Sequence, residues 1–91
     1  MRQPVRIVEV RIDETVADKI RTKHNMTPEE VREALVLRPD VDRRWENHPE
    51  HGRRLLAEGT TYEGRPVLAA LLPVDVDDGI WMLKTARSPK T

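Results

Sequence analysis

Ninety-one residues confine this chain to one small domain, with no room for a second core. Sixteen basic and sixteen acidic residues cancel, so the whole-molecule field does not announce nucleic acid, and any anion site must come from local clustering. The absence of cysteine excludes a disulfide frame and a thiolate metal site, and no apolar run reaches the length that spans a membrane.

The first predicted element is a strand over residues 5–12, from β-branched Val5, Ile7, Val8, Val10 and Ile12. Asp13 can cap a first helix that runs to about His24, with Val16, Ala17 and Ile20 as its apolar edge. Lys19 and Lys23 are spaced i,i+4 and share a face. At about 100° per residue, His24 falls beside Ile20. Asn25 tolerates the left-handed conformation that closes a helix. Thr27 then caps a second helix, Pro28 fits its first position, and Glu30 completes a capping box. That helix is expected over residues 28–36, burying Val31, Ala34 and Leu35. Leu37-Arg38-Pro39-Asp40 ends it, because proline disfavours helix at the residue before it.

A meander of strands follows. Residues 41–46 form a short polar strand and residues 53–60 a better one. Tyr62-Glu63-Gly64-Arg65 reads as a turn, and residues 66–72 as an apolar strand. Residues 74–79 form a loop ending in the turn pair Asp78-Gly79, and residues 80–86 close the sheet. Residues 88–91 read as a loose tail, and the N-terminus lacks an apolar signal core. The expected fold is α+β: an N-terminal strand and two helices packed on one face of a four- to five-stranded antiparallel sheet. Residues 66–72 are apolar on both faces, which suits a central strand whose second side is covered by another protein.

Lys19, Lys23 and His24 at a tight corner can grip a phosphate or move a proton. The simpler reading is a solvated basic flank with one histidine at a helix end. His48-Pro49-Glu50-His51 sets a carboxylate between two histidines, but in a Pro/Gly loop with no third ligand nearby it reads as solvated. Asp75, Asp77 and Asp78 before Gly79 lack the downstream glutamate of a calcium loop and read as an acidic turn. Neither pattern calls for a metal, and no phosphate-cradling glycine loop calls for a cofactor. Trp81 is expected in the core. Trp45, beside Arg43 and Arg44, is expected at the surface, lying on RNA or under a partner.

Lys23-His24-Asn25-Met26-Thr27-Pro28-Glu29-Glu30-Val31 resembles the Lys-His-Gly-Val-Ser corner of the BrnT family of bacterial toxins, within the RelE/ParE-like group. Ile12-Asp13 stands at that family's opening element, without its Trp. Arg54-Leu-Leu-Ala-Glu-Gly59-Thr60 followed by Gly64-Arg65 resembles its hairpin, and Thr85-Ala86-Arg87 its closing Ser-Ala-Arg strand. The matches are short but fall in order along nearly the whole chain. The resemblance implies the toxin of a toxin–antitoxin pair: a cytoplasmic, metal-independent RNA endonuclease that uses 2′-hydroxyl attack and is silenced by a DNA-binding antitoxin. His24 and Lys23 would then supply base or acid. Arg54 and Arg87, at the ends of predicted strands, would converge as phosphate ligands. Lys19, Arg43, Arg44 and Trp45 would contact RNA. The alternative is a non-catalytic interaction domain of the same fold, binding a protein partner or acting in operon autoregulation. Either form admits a homodimer.

Overall fold

A computed structural model of the chain describes residues 5–38, 40–50 and 52–89. The elements are β1 (Glu9–Arg11), α1 (Glu14–His24), α2 (Pro28–Arg32) continuing into a π-helical turn (Glu33–Leu37), β2 (Asp42–His48), β3 (Gly52–Thr60), β4 (Pro66–Asp75) and β5 (Ile80–Arg87). The fold is α+β, with one five-stranded sheet in the order β1-β5-β4-β3-β2.

Strands β2 to β5 pair antiparallel in sequence order. β1 instead lies parallel to β5, with Val10 opposite Trp81, so the sheet is mixed rather than antiparallel throughout. Tight turns fix the direction of hairpin neighbours, but both helices intervene between β1 and the rest of the sheet, and the helical connection leaves the direction of β1 to tertiary packing. β1 is also shorter than expected. The Val8 and Glu9 N–H groups donate to the Gly79 carbonyl at 2.8 and 3.1 Å, and the Trp81 indole N–H donates to the Arg6 carbonyl at 2.8 Å. Residues 5–8 are thus tied to the β4–β5 turn. Gly79 has φ +73°, and a Cβ there would stand 2.8 Å from Val8 Cγ2, so this close approach needs glycine.

The corner between the helices forms as its residues dictate. Asn25 takes the left-handed conformation at φ 50°, and the Met26 N–H returns to the Ile20 carbonyl at 3.0 Å. Asp13 occupies the N-cap of α1, though its side chain makes no capping bond. At α2 the capping box is complete: Thr27 Oγ1 accepts from the Glu30 N–H at 3.2 Å, and Glu30 Oε1 accepts from the Thr27 N–H at 2.9 Å. A Thr27→Ala variant is expected to lose about 1 kcal/mol in urea denaturation. An unchanged midpoint would show that the Thr27 hydroxyl contributes nothing to the helix start.

After Arg32 the second helix widens to a π turn, keeping Ala34 and Leu35 buried as expected. Pro39 lies outside the described residues. The widened turn sits directly on β3 at Gly59. A Cβ on Gly59 would collide with the Ala34 carbonyl oxygen and stand 3.1 Å from its carbon. The core lies between the helices and this side of the sheet, filled by Ile20, Met26, Val31, Leu35, Leu55, Leu71, Trp81 and Leu83.

β5 carries a β-bulge at Lys84: Ala70 pairs with Thr85 but Leu71 with Leu83. One extra residue reverses the alternation. Trp81 and Leu83 face the core before the bulge and Ala86 after it, which turns Thr85 and Arg87 to the open face.

Candidate functional site on the open sheet face

The side of the sheet away from the helices is built from alternate residues of β2 to β5. Arg44 stands opposite Leu56 and Glu46 opposite Arg54. Leu56 then pairs with Ala70, Ala70 with Thr85, and Leu68 with Arg87. Leu56, Leu68 and Ala70 make an apolar floor. Arg44, Glu46, Arg54, Thr85 and Arg87 rise around it to form a groove of about 280 Å³. A second groove of about 200 Å³ adjoins it across Arg44, Leu56 and Leu68, with Asp42 and Glu58 on its walls.

Arg54 is held in place. Its Nε and Nη2 both reach Glu46 Oε1 at 2.6 Å, and its side chain is only 19% exposed. Among the described residues, Arg44 and Arg87 donate to no carboxylate. The larger groove therefore presents three guanidinium groups against one carboxylate, two of them unneutralised. Planar forks above an apolar floor suit a ligand with anionic oxygens and a flat apolar portion.

This arrangement joins some of the expected residues and separates others. Arg54 and Arg87 meet in one groove, although they lie on β3 and β5 with β4 between them, not on neighbouring strands. Arg44 joins them. Lys19, Lys23 and His24 lie on α1, on the covered side of the sheet, and line neither groove. The reason is the pleat: Arg44, Arg54 and Arg87 point away from the layer in which α1 packs. Arg43 stands opposite Ala57 and turns back to the Val41 carbonyl at 3.3 Å. Trp45 differs from the expectation of a free surface ring. It is half-buried, with its centroid 5.6 Å from that of Trp81 and the Arg53 guanidinium 4.0 Å from its own centre. Arg53 thus covers one face of the ring, and Trp81 leans against it at 51°.

Glu46 and Thr85 were not legible as site residues. The period of two along β2 already puts Arg44 and Glu46 on one face, but the bulge that aims Thr85 into the groove leaves no mark in the sequence. His48 Nδ1 accepts the Glu50 N–H, and His51 lies outside the described residues. Asp75 Oδ1 accepts the Asp78 N–H, closing the acidic turn.

The corner that carries His24 has a different structural role. The Arg65 guanidinium donates to the His24 carbonyl at 3.1 Å, the Asn25 carbonyl at 2.7 Å and Glu30 Oε2 at 2.9 Å, while its Nε donates to Ser88 Oγ at 3.1 Å. One side chain thereby ties together the end of α1, the start of α2, the β3–β4 loop and the end of β5. Burial by itself would raise the Glu30 carboxyl. The hydrogen bonds from Thr27 and Arg65, with the charge of Arg65, outweigh it and hold the group below its ordinary 4.5. A carboxyl lowered on folding stabilises the fold above its unfolded pKa, and that share is lost as pH falls through the folded value. Urea midpoints of the wild type should therefore drop as pH falls below about 4.5. Glu30→Gln should be less stable at neutral pH yet decline less on acidification. An equal decline in both would rule out Glu30 as a contributor.

No family model matches this chain, and no curated protein matches it either.

Proposed function

We propose that the open face of the sheet holds the phosphodiester of a single-stranded RNA, and that the chain is a metal-independent endoribonuclease of the BrnT-like toxin kind, silenced in the cytoplasm by a DNA-binding antitoxin. The observation that supports this reading is the gathering of Arg44, Arg54 and Arg87 around one groove. Charge builds on the phosphorane during 2′-hydroxyl attack, and fixed guanidinium groups stabilise it where it forms. Arg44 and Arg87 take the non-bridging oxygens. Glu46, the one carboxylate of this groove among the described residues, accepts the 2′-hydroxyl proton, with Arg54 fixing its position. The 2′ oxygen bonds to phosphorus as the bond to the 5′ oxygen breaks, and that oxygen takes its proton from water. The products are a 2′,3′-cyclic phosphate and a 5′-hydroxyl end. The apolar floor of Leu56 and Leu68 accepts a base or ribose face. His24 and Lys23 have no part in this scheme, because they lie across the sheet.

The purified chain should cut single-stranded RNA in excess chelator and leave cyclic-phosphate ends. A 2′-deoxy nucleotide at the cut site should block it. A second reading, a non-catalytic domain that binds a protein segment on this face, is favoured by the apolar floor and by Asp42 and Glu58 in the adjoining groove. Mixed charge around an apolar centre fits a protein surface better than a continuous polyanion. A folded chain that cuts no RNA and leaves a bacterial host growing normally decides for that second reading.

A further inference from the structure

β2 is the longer of the two sheet edges, seven residues against three for β1, and no strand among the described residues pairs with its outer side. An edge of this length presents unpaired backbone groups to any complementary strand. Its sequence, Asp42-Arg43-Arg44-Trp45-Glu46-Asn47-His48, when reversed about Trp45 sets Arg44 against Glu46 and opposes no like charges. We infer that β2 pairs antiparallel with β2 of a second copy, centred on Trp45, to make a dimer with one continuous sheet.

The register follows from faces and charges. Directly opposed residues of an antiparallel pair point to the same side of the sheet. A pairing centred on a residue therefore keeps the helices of both copies on one side and both grooves on the other. A pairing centred between residues puts the two helix layers on opposite sides. Centring on Arg44 opposes arginine to arginine and Asp42 to Glu46, and centring on Glu46 opposes carboxylate to carboxylate. Centring on Trp45 pairs all seven residues and sets each Arg44 against the other copy's Glu46. Among the described residues Glu46 Oε2 accepts no bond, so it is available to that arginine while Oε1 keeps Arg54. On the covered side the two half-buried Trp45 rings meet at the dyad, where Arg43 and Asn47 of β2 are exposed.

The second copy's Arg44 thus reaches the rim of the groove, and the two grooves join across the dyad on one face. This interface is read from the strand edge and does not rest on the ribonuclease reading, although it engages Arg44 and Glu46, which that reading gives to the phosphate and the 2′-hydroxyl proton. An edge pairing of one strand is small, so its association is weak and concentration-dependent.

Sedimentation of the full chain from micromolar to millimolar concentration should show a reversible monomer–dimer equilibrium. Arg44→Glu and Glu46→Arg should each weaken it about tenfold or more, because by symmetry each substitution sets two like-charge pairs face to face. Circular dichroism should show both variants folded, and Arg44→Glu leaves the Arg54–Glu46 pair in place. An equimolar mixture of the two variants should regain association, since both pairs across the dyad again set an arginine against a carboxylate. Mixing cannot repair general damage, so recovery supports this register alone. A wild-type monomer at every concentration, a dimer unaffected by either reversal, or a mixture no more associated than its components would each overturn the inference.

Discussion

Replacing Trp81 with alanine is expected to lower the unfolding free energy by about 4 kcal/mol. Trp81 is fully buried at the point where the parallel and antiparallel parts of the sheet meet, opposite Val10 of β1 and Pro73 of β4. Its removal leaves a cavity bounded by β strands on two sides, which cannot close without breaking ladder hydrogen bonds. It also removes the indole N–H from the Arg6 carbonyl, the bond that holds the segment before β1. A domain of this size has a total stability on the order of 5–15 kcal/mol, so the variant should stand near its unfolding threshold at 37 °C. Trp81→Phe keeps most of the volume and loses the hydrogen bond, for a cost of about 1–2 kcal/mol. Urea denaturation followed by far-ultraviolet circular dichroism measures both. A loss below about 1 kcal/mol for Trp81→Ala would mean that the core is not organised around this ring.

On the proposed ribonuclease reading, Arg87→Ala is expected to slow RNA cleavage about a hundredfold, the usual cost of removing one fixed electrostatic contact to the transition state. The side chain is exposed and donates to no carboxylate among the described residues, so its loss should leave stability within about 0.5 kcal/mol. Activity and folding therefore separate cleanly at this position. Arg87→Lys restores the charge without the planar fork and should recover only part of the rate. Arg54→Ala is a less specific probe, because it frees Glu46 of its only ion-pair partner among the described residues and disturbs the groove wall as well. His24→Ala, at a residue given a catalytic role by the family resemblance, should leave the rate within a few-fold, since His24 ends α1, across the sheet from the groove. Wild-type cleavage by Arg87→Ala, or loss of cleavage in His24→Ala with the fold intact, would refute the placement of the reaction on the open face.

Much of the local structure was legible in the residues themselves. Thr27 and Glu30 specify a capping box over four residues. Asn25 accepts the left-handed turn, and Asp78-Gly79 makes the last hairpin. Each acts within a few positions of chain, so no distant contact is needed to read it. The order of strand, two helices and meander likewise implied helices on one side of a sheet, and the excess of apolar residues in β4 implied a partly apolar second side. Leu56, Leu68 and Ala70 form that floor.

Other features were decided only by the tertiary structure. The parallel pairing of β1 depends on where two helices return the chain, about seventy residues from its partner strand. Residues 5–8 have strand propensity, yet they are spent on contacts to Gly79 and Trp81. The side on which Arg87 stands is set by the bulge at Lys84, and a one-residue change in register moves every later side chain to the other face. The Lys23-His24 corner had the residue types of a reactive site. In the fold its neighbourhood is held by Arg65, and its chemistry is separated from the arginine groove by the thickness of the sheet. Composition and spacing report which residues are close along the chain. Which of them share a face is fixed by long-range register, because a pleated strand offers two opposite sides to residues that are immediate neighbours in sequence.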